Sequence, residues 1–143
     1  MFPMSKADPT VGIWKLNIAK SKFASSPEAA PKQQTNTVRE LAADQIGVTV
    51  IGSRTDGSPI SQKWTAPRQG GVLKIQHGGP EGGPVILTVM NPGDWIFTFL
   101  QNGKQVTTVR VVVSKDGKTG NETTKGTDAK GKPFEQLQVF DRQ

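Results

Sequence analysis

The sequence predicts an all-β protein: an antiparallel, up-and-down β-barrel of about 8–10 strands. Three observations carry that prediction. Asp56-Gly57, Asn102-Gly103 and Asp116-Gly117 each sit between alternating or β-branched runs, and such pairs supply the positive φ angles of tight hairpin turns. Turn signals recur about every ten residues, the spacing of a meander, and no segment keeps a helical apolar period beyond one turn. A flat meander of this many strands leaves two unpaired edges, which closure into a barrel removes.

Taken in order, the candidate strands are 11–18, 33–41, 46–55, 59–66, 72–76, 84–90, 94–101, 104–114, 118–127 and 132–141. The first opens after Pro9 with Val11-Gly12-Ile13-Trp14. Pro31 stops the nearest helix candidate, 27–30, and admits the second strand, which ends at an ambiguous turn over 41–44. The third runs to Asp56-Gly57, and the fourth places Ile60, Gln62 and Trp64 on one face. The fifth is short and lies within 70–84, a stretch with six Gly and two Pro that reads as a mobile loop at one mouth of the barrel. The apolar run 84–90 has strand length, far below the roughly 20 residues of a membrane helix. In 94–101, Trp95, Phe97 and Phe99 share one face, and Ile96, Thr98 and Leu100 the other. Strand 104–114 carries Val109, Val111 and Val113 on one side and Thr108, Arg110 and Val112 on the other. The last two strands follow the turns at Asp116-Gly117 and Asp128-Ala129-Lys130-Gly131.

With 143 residues, 34% of them hydrophobic and 16 of them Gly, the chain reads as one domain over 1–143 with a flexible N-terminus over 1–9. A chain of this size buries about two-thirds of its unfolded surface, enough for a core without disulfides. The absence of Cys and the single His exclude metal sites built from thiolates or several imidazoles, so neither metal nor cofactor is expected. The Gly-rich stretch lacks a following Gly-Lys-Ser/Thr, which sets nucleotide binding aside. Residues 1–10 lack the apolar segment of a secretion signal; the chain reads as cytoplasmic as written, or exported if a leader was removed.

The net charge of +6 is unevenly placed: +3 over 1–32, zero over 33–100 and +3 over 101–143. Pairing of the two ends in the fold makes one basic face. The lysines are scattered singly rather than in a K/R-rich run, and the aromatic residues lie in core-like strands. Nucleic acid is therefore not an expected partner.

Candidate ligand-binding residues follow from strand faces. Trp95, Phe97 and Phe99 form an aromatic rail; Trp64, on one face with Ile60 and Gln62, raises the same choice between ligand contact and plain core packing. Arg39 and Arg110 are candidate polar anchors beside Gln62, Thr98, Asn121, Gln136 and Gln138. Arg110 faces solvent if the three valines face the core; in the opposite register it is a buried cation that anchors a ligand carboxylate. His77, in the Gly-rich stretch near Glu81, is the candidate acid–base group, with a surface imidazole as the plain alternative. Glu122 and Asp94 supply carboxylate chemistry only if the fold brings them together inside the barrel; otherwise they are solvated acids at strand ends.

Asp8-Pro9-Thr10-Val11-Gly12-Ile13-Trp14-Lys15-Leu16-Asn17, with Lys20-Ser21-Lys22-Phe23 after it, resembles the start of bacterial lipocalin-like domain proteins of the calycin type. Lys125-Gly126-Thr127-Asp128-Ala129-Lys130-Gly131-Lys132-Pro133-Phe134 and Val139-Phe140-Asp141-Arg142-Gln143 resemble their end. The likeness covers about half of the chain. It implies that Gly12 and Trp14 belong to a Gly-Xaa-Trp closure of one barrel end, over which an arginine of the last strand, Arg142, packs; Arg110 is the alternative. It also implies a monomer or homodimer that binds a small hydrophobic or amphipathic molecule, mostly apolar and with room for an anionic group. A small cofactor-independent calycin enzyme, an isomerase, cyclase or lyase, is the alternative, with His77, Arg39 or Arg110 polarising one group of the substrate.

Overall fold

The computed structural model describes residues 8–24, 29–79, 83–127 and 130–143. Among them run eleven strands: β1 Gly12–Lys22, β2 Pro31–Leu41, β3 Gln45–Arg54, β4 Pro59–Pro67, β5 Gly70–Val72, β6 Lys74–His77, β7 Val85–Asn91, β8 Asp94–Gln101, β9 Lys104–Val113, β10 Thr119–Thr127 and β11 Pro133–Arg142. Each expected strand is present. The expected 72–76 is longer and divided at Leu73 into β5 and β6. Residues 29–30 carry no regular structure, and the rest of the 27–30 helix candidate lies outside the described residues. The same holds for 128–129 of the last expected turn and for 80–82 of the Gly-rich loop.

All neighbouring strands are antiparallel, in the order β5-β7-β8-β9-β10-β11-β1-β2-β3-β4-β6. The two ends of that order, β5 and β6, are consecutive in the chain. β5 pairs β7 (Gly71 with Leu87), and β6 pairs β4 (Trp64 with Ile75). The stretch from Gly70 to His77 thus spans the seam of the barrel, giving half of its backbone groups to each side. That arrangement answers the edge problem a meander of this length carries.

The turns obey the chemistry read from the sequence. Asn102 and Gly103 have φ of 52° and 77°, the pair of left-handed residues a two-residue hairpin loop needs. The turn over 41–44 solves the same problem with Ala43 at φ 60° and Asp44 at φ 55°, neither of which is glycine. It is a hairpin turn and not a helical one.

Alternation places one face of each strand inside. Ile46, Val48 and Val50 of β3, Val85 and Leu87 of β7, Trp95 and Phe97 of β8 and Phe140 of β11 are buried. The three valines of β9 pack against this core, so Arg110 takes the outer face.

The first and last strands meet at Trp14, whose register partner is Arg142. The Arg142 guanidinium lies 4.3 Å from the centroid of the Trp14 ring. Its nitrogens donate to the carbonyls of Gly117 at 2.5 Å and Val11 at 2.6 Å, and to that of Pro9. Trp14 Nε1 in turn donates to the Thr10 carbonyl at 2.9 Å, while Asp8 Oδ1 accepts from the Thr10 backbone and hydroxyl. Asp8 and Pro9 thus each accept hydrogen bonds from the residues that close the barrel; residues 1–7 lie outside the described residues. Gly12 has φ +146°, and a Cβ there would collide with Arg142 Nη1. Arg110 plays no part in this closure.

Arg142→Ala removes a cation–π contact and three charge-assisted hydrogen bonds, and is expected to cost about 3 kcal/mol. Arg142→Lys is expected to recover little of it, because an ammonium cannot reach three divergent carbonyls while stacked on an indole. Urea unfolding of the two variants against the parent chain measures both, and Gly12→Ala should fall with them because it displaces the same guanidinium.

Candidate functional site

The inward faces do not fill the barrel. They enclose a cavity of about 470 Å³. Its wall is mainly apolar: Val38, Val48, Val50, Val109, Val111 and Phe140 contribute aliphatic and aromatic surface. Trp64 of β4 lines it together with Trp95, Phe97 and Phe99, which share one face of β8. Phe97 forms the centre of the aromatic group, with Trp64 edge-on at 5.4 Å and Trp95 edge-on at 6.0 Å between ring centroids. The geometry favours the contact of a ring edge with a π face. Trp95 Nε1 is buried and has no hydrogen-bond partner among the described residues, a cost that comes with placing an indole in this apolar wall.

Four polar residues reach this apolar space from strand faces: Asn36 on β2, Arg54 at the end of β3, Gln62 on β4 and Glu122 on β10. Register explains how they come to the same interior. Asn36 stands opposite Trp14 on one side and Val50 on the other, and Val50 stands opposite Gln62. Glu122 stands between Val111 of β9 and Gln138 of β11. Asn36 Nδ2 donates to Glu122 Oε2 over a long 3.4 Å, and Asn36 Oδ1 accepts from Gln34 Nε2 at 3.0 Å. Glu122 is half-buried and lines the cavity. Burial there penalises its charged form and pushes its pKa up to about 7.

Other expected site residues lie elsewhere. Arg110 projects outward from β9, with a side chain 58% exposed, and makes a two-pronged contact with Asp94: Nε to Oδ1 at 3.1 Å and Nη2 to Oδ2 at 2.8 Å. This pairing holds the Arg110 pKa above its usual value and orients a surface arginine; it does not aim a cation into the barrel. Asp94 is engaged there, so Asp94 and Glu122 do not meet. Arg39 is exposed on the outer face of β2, above a shallow depression that it shares with Leu41, Lys63 and Gln76. His77 ends β6 opposite Lys63 and is exposed; its neighbours Gly78 and Gly79 line the cavity, and Glu81 lies outside the described residues.

Sequence reasoning did not single out Asn36 or Arg54, and it weighed Glu122 only as a partner of Asp94 or as a solvated acid. β10 reads Thr-Gly-Asn-Glu-Thr-Thr-Lys-Gly-Thr, with no apolar residue on either face, so alternation had no way to mark which side is inside. The usable signal was the closing arrangement: once Trp14, Phe140 and Gly120 are set inside by register, Glu122 follows two residues after Gly120.

No family model matches the chain, and no curated protein matches it in sequence. Solved structures do match in fold. A point mutant of the fluorescent protein UnaG aligns with TM-score 0.64 and 13% identity over 94% of this chain and 96% of that one. Wild-type UnaG aligns with TM-score 0.60 and 13% identity over 94% and 97%. The chain shares with them an all-β, antiparallel up-and-down barrel fold.

Because the Glu122 pKa rises from about 4.5 unfolded to about 7 folded, the folded state binds the extra proton between these values. Stability is therefore greatest below about pH 4.5 as far as this group is concerned, and falls as pH rises towards 7. The expected loss is up to about 3 kcal/mol. Glu122→Gln is expected to lack that slope, which urea unfolding across this pH range measures against the parent.

Proposed function

We propose that this protein binds a small, mostly apolar molecule inside its barrel, as a lipocalin-like binding protein of the bacterial kind its terminal motifs resemble. The carrying observation is the cavity itself: about 470 Å³, walled by valines and four aromatic side chains, with few polar groups. Ligand pockets span roughly 300–1,000 Å³ and share that character. An anionic ligand held by Arg39 or Arg110 is not the form this reading takes, because both side chains lie on the outer surface.

One observation favours a second reading, a cofactor-independent isomerase, cyclase or lyase. Glu122 is a carboxyl inside the cavity with a pKa of about 7, matched to taking and returning a proton near neutral pH. His77, exposed at the end of β6, has no such placement. If the barrel turns over a substrate, the rate is expected to follow one ionisation near pH 7 and to vanish in Glu122→Gln.

The binding reading is tested with the neutral fluorophore diphenylhexatriene. Saturable one-site binding is expected. Val109→Trp, which fills the cavity from β9, should abolish it, and Arg110→Ala, on the outer face of the same strand, should leave it unchanged. Binding that survives Val109→Trp unaltered places the dye elsewhere and sinks the reading.

A further inference from the structure

We propose that the barrel's ligand carries a protonated amine, which seats on the Glu122 carboxyl while its apolar body lies against Trp64, Trp95 and Phe97. The inference rests on the binding reading above and narrows it to a ligand class.

The first support is unused acceptor capacity. A carboxylate offers about four lone-pair positions, and among the described residues the hydrogen bond made to Glu122 is the long one from Asn36. The Asn36 amide is itself oriented, because its oxygen accepts from Gln34 and so turns its NH₂ towards Glu122. Asn36 is thus a fixed donor beside the carboxyl, leaving the remaining oxygen positions to a guest with N–H groups to give.

The second support is charge. The groups facing Glu122 from the flanking strands are Val111 and Gln138, and from β2 it is Asn36; all are neutral. Arg54, the other charged residue in the cavity wall, stands at the far end of β3, where its Nη1 donates to the Pro59 carbonyl at 2.8 Å. Arg142 is stacked on Trp14 and bonded to three carbonyls. A desolvated carboxylate without a cation beside it is costly, and a ligand ammonium supplies the missing charge. The third support is the aromatic wall, whose π faces attract a cation. The chain's +6 opposes a cation only at long range, where salt screens it.

The test uses three competitors with one indole body and different heads: tryptamine, tryptophol and indole-3-propionate. Each displaces diphenylhexatriene from the full chain, from Glu122→Gln and from His77→Gln, at about pH 6 and about pH 8, where the amine stays protonated. At the higher pH tryptamine is expected to compete at roughly tenfold lower concentration than tryptophol, with the propionate weakest. That preference should shrink towards the lower pH as Glu122 takes up a proton, vanish in Glu122→Gln and persist in His77→Gln. Dye binding by Glu122→Gln reports that the variant is folded; if it is not, the pH series on the parent chain decides. Equal competition by amine and alcohol, or an amine preference that survives Glu122→Gln, overturns the ligand class and leaves cavity binding standing. Absence of saturable dye binding removes the cavity reading and this inference with it.

Discussion

The barrel depends on one contact, the Arg142 guanidinium held against the Trp14 indole. It reinforces the backbone ladder between the first strand and the last, the pairing that keeps β1 and β11 from being the free edges of an open sheet. The guanidinium is suited to the task because it is planar enough to stack and carries donors in several directions. It spends them on carbonyls of Pro9, Val11 and Gly117, so the segment before β1 and the turn before β10 are fastened by the same side chain. Gly12 completes the arrangement by leaving the space that a Cβ would take. Closure at this end is what allows the interior to stay hollow further along, since strand pairing around the whole circumference holds the wall in place.

The opposite problem, the second pair of edges, is solved by backbone alone. The stretch from Gly70 to His77 divides its hydrogen bonds between β7 and β4, and Leu73 at the division donates its N–H to the Val85 carbonyl at 2.9 Å. Two seams closed in different ways leave a cylinder with apolar walls and one carboxyl inside. That carboxyl is the chemical signature of the interior. Among the described residues it shares the lining of valines and aromatic rings with one cation, Arg54 at the end of β3, and burial among apolar groups is what raises the carboxyl's pKa.

The fold was legible to a high degree because its signals are local. Asn102-Gly103 and Asp116-Gly117 mark turns through backbone conformation, and Trp95-Ile96-Phe97-Thr98-Phe99 declares an inside and an outside through side-chain period. The cavity's aromatic lining was legible for the same reason. The expected arginine anchors were not, because Arg110 sits in a valine strand where either face could be inward until the neighbouring strands choose. Val109, Val111 and Val113 together bury more apolar surface than Thr108, Arg110 and Val112, and that preference turns Arg110 out to Asp94.

By itself the sequence determined the class of fold, the turns and the aromatic face, each governed by interactions between residues close in the chain. Only the tertiary structure decided that the interior is hollow, that Arg142 rather than Arg110 closes the barrel and that Glu122 points inward. Hollowness depends on the summed volume of side chains from eleven strands around a shared axis. The orientation of β10, polar on both faces, is inherited through register from β9 and β11 rather than from its own residues.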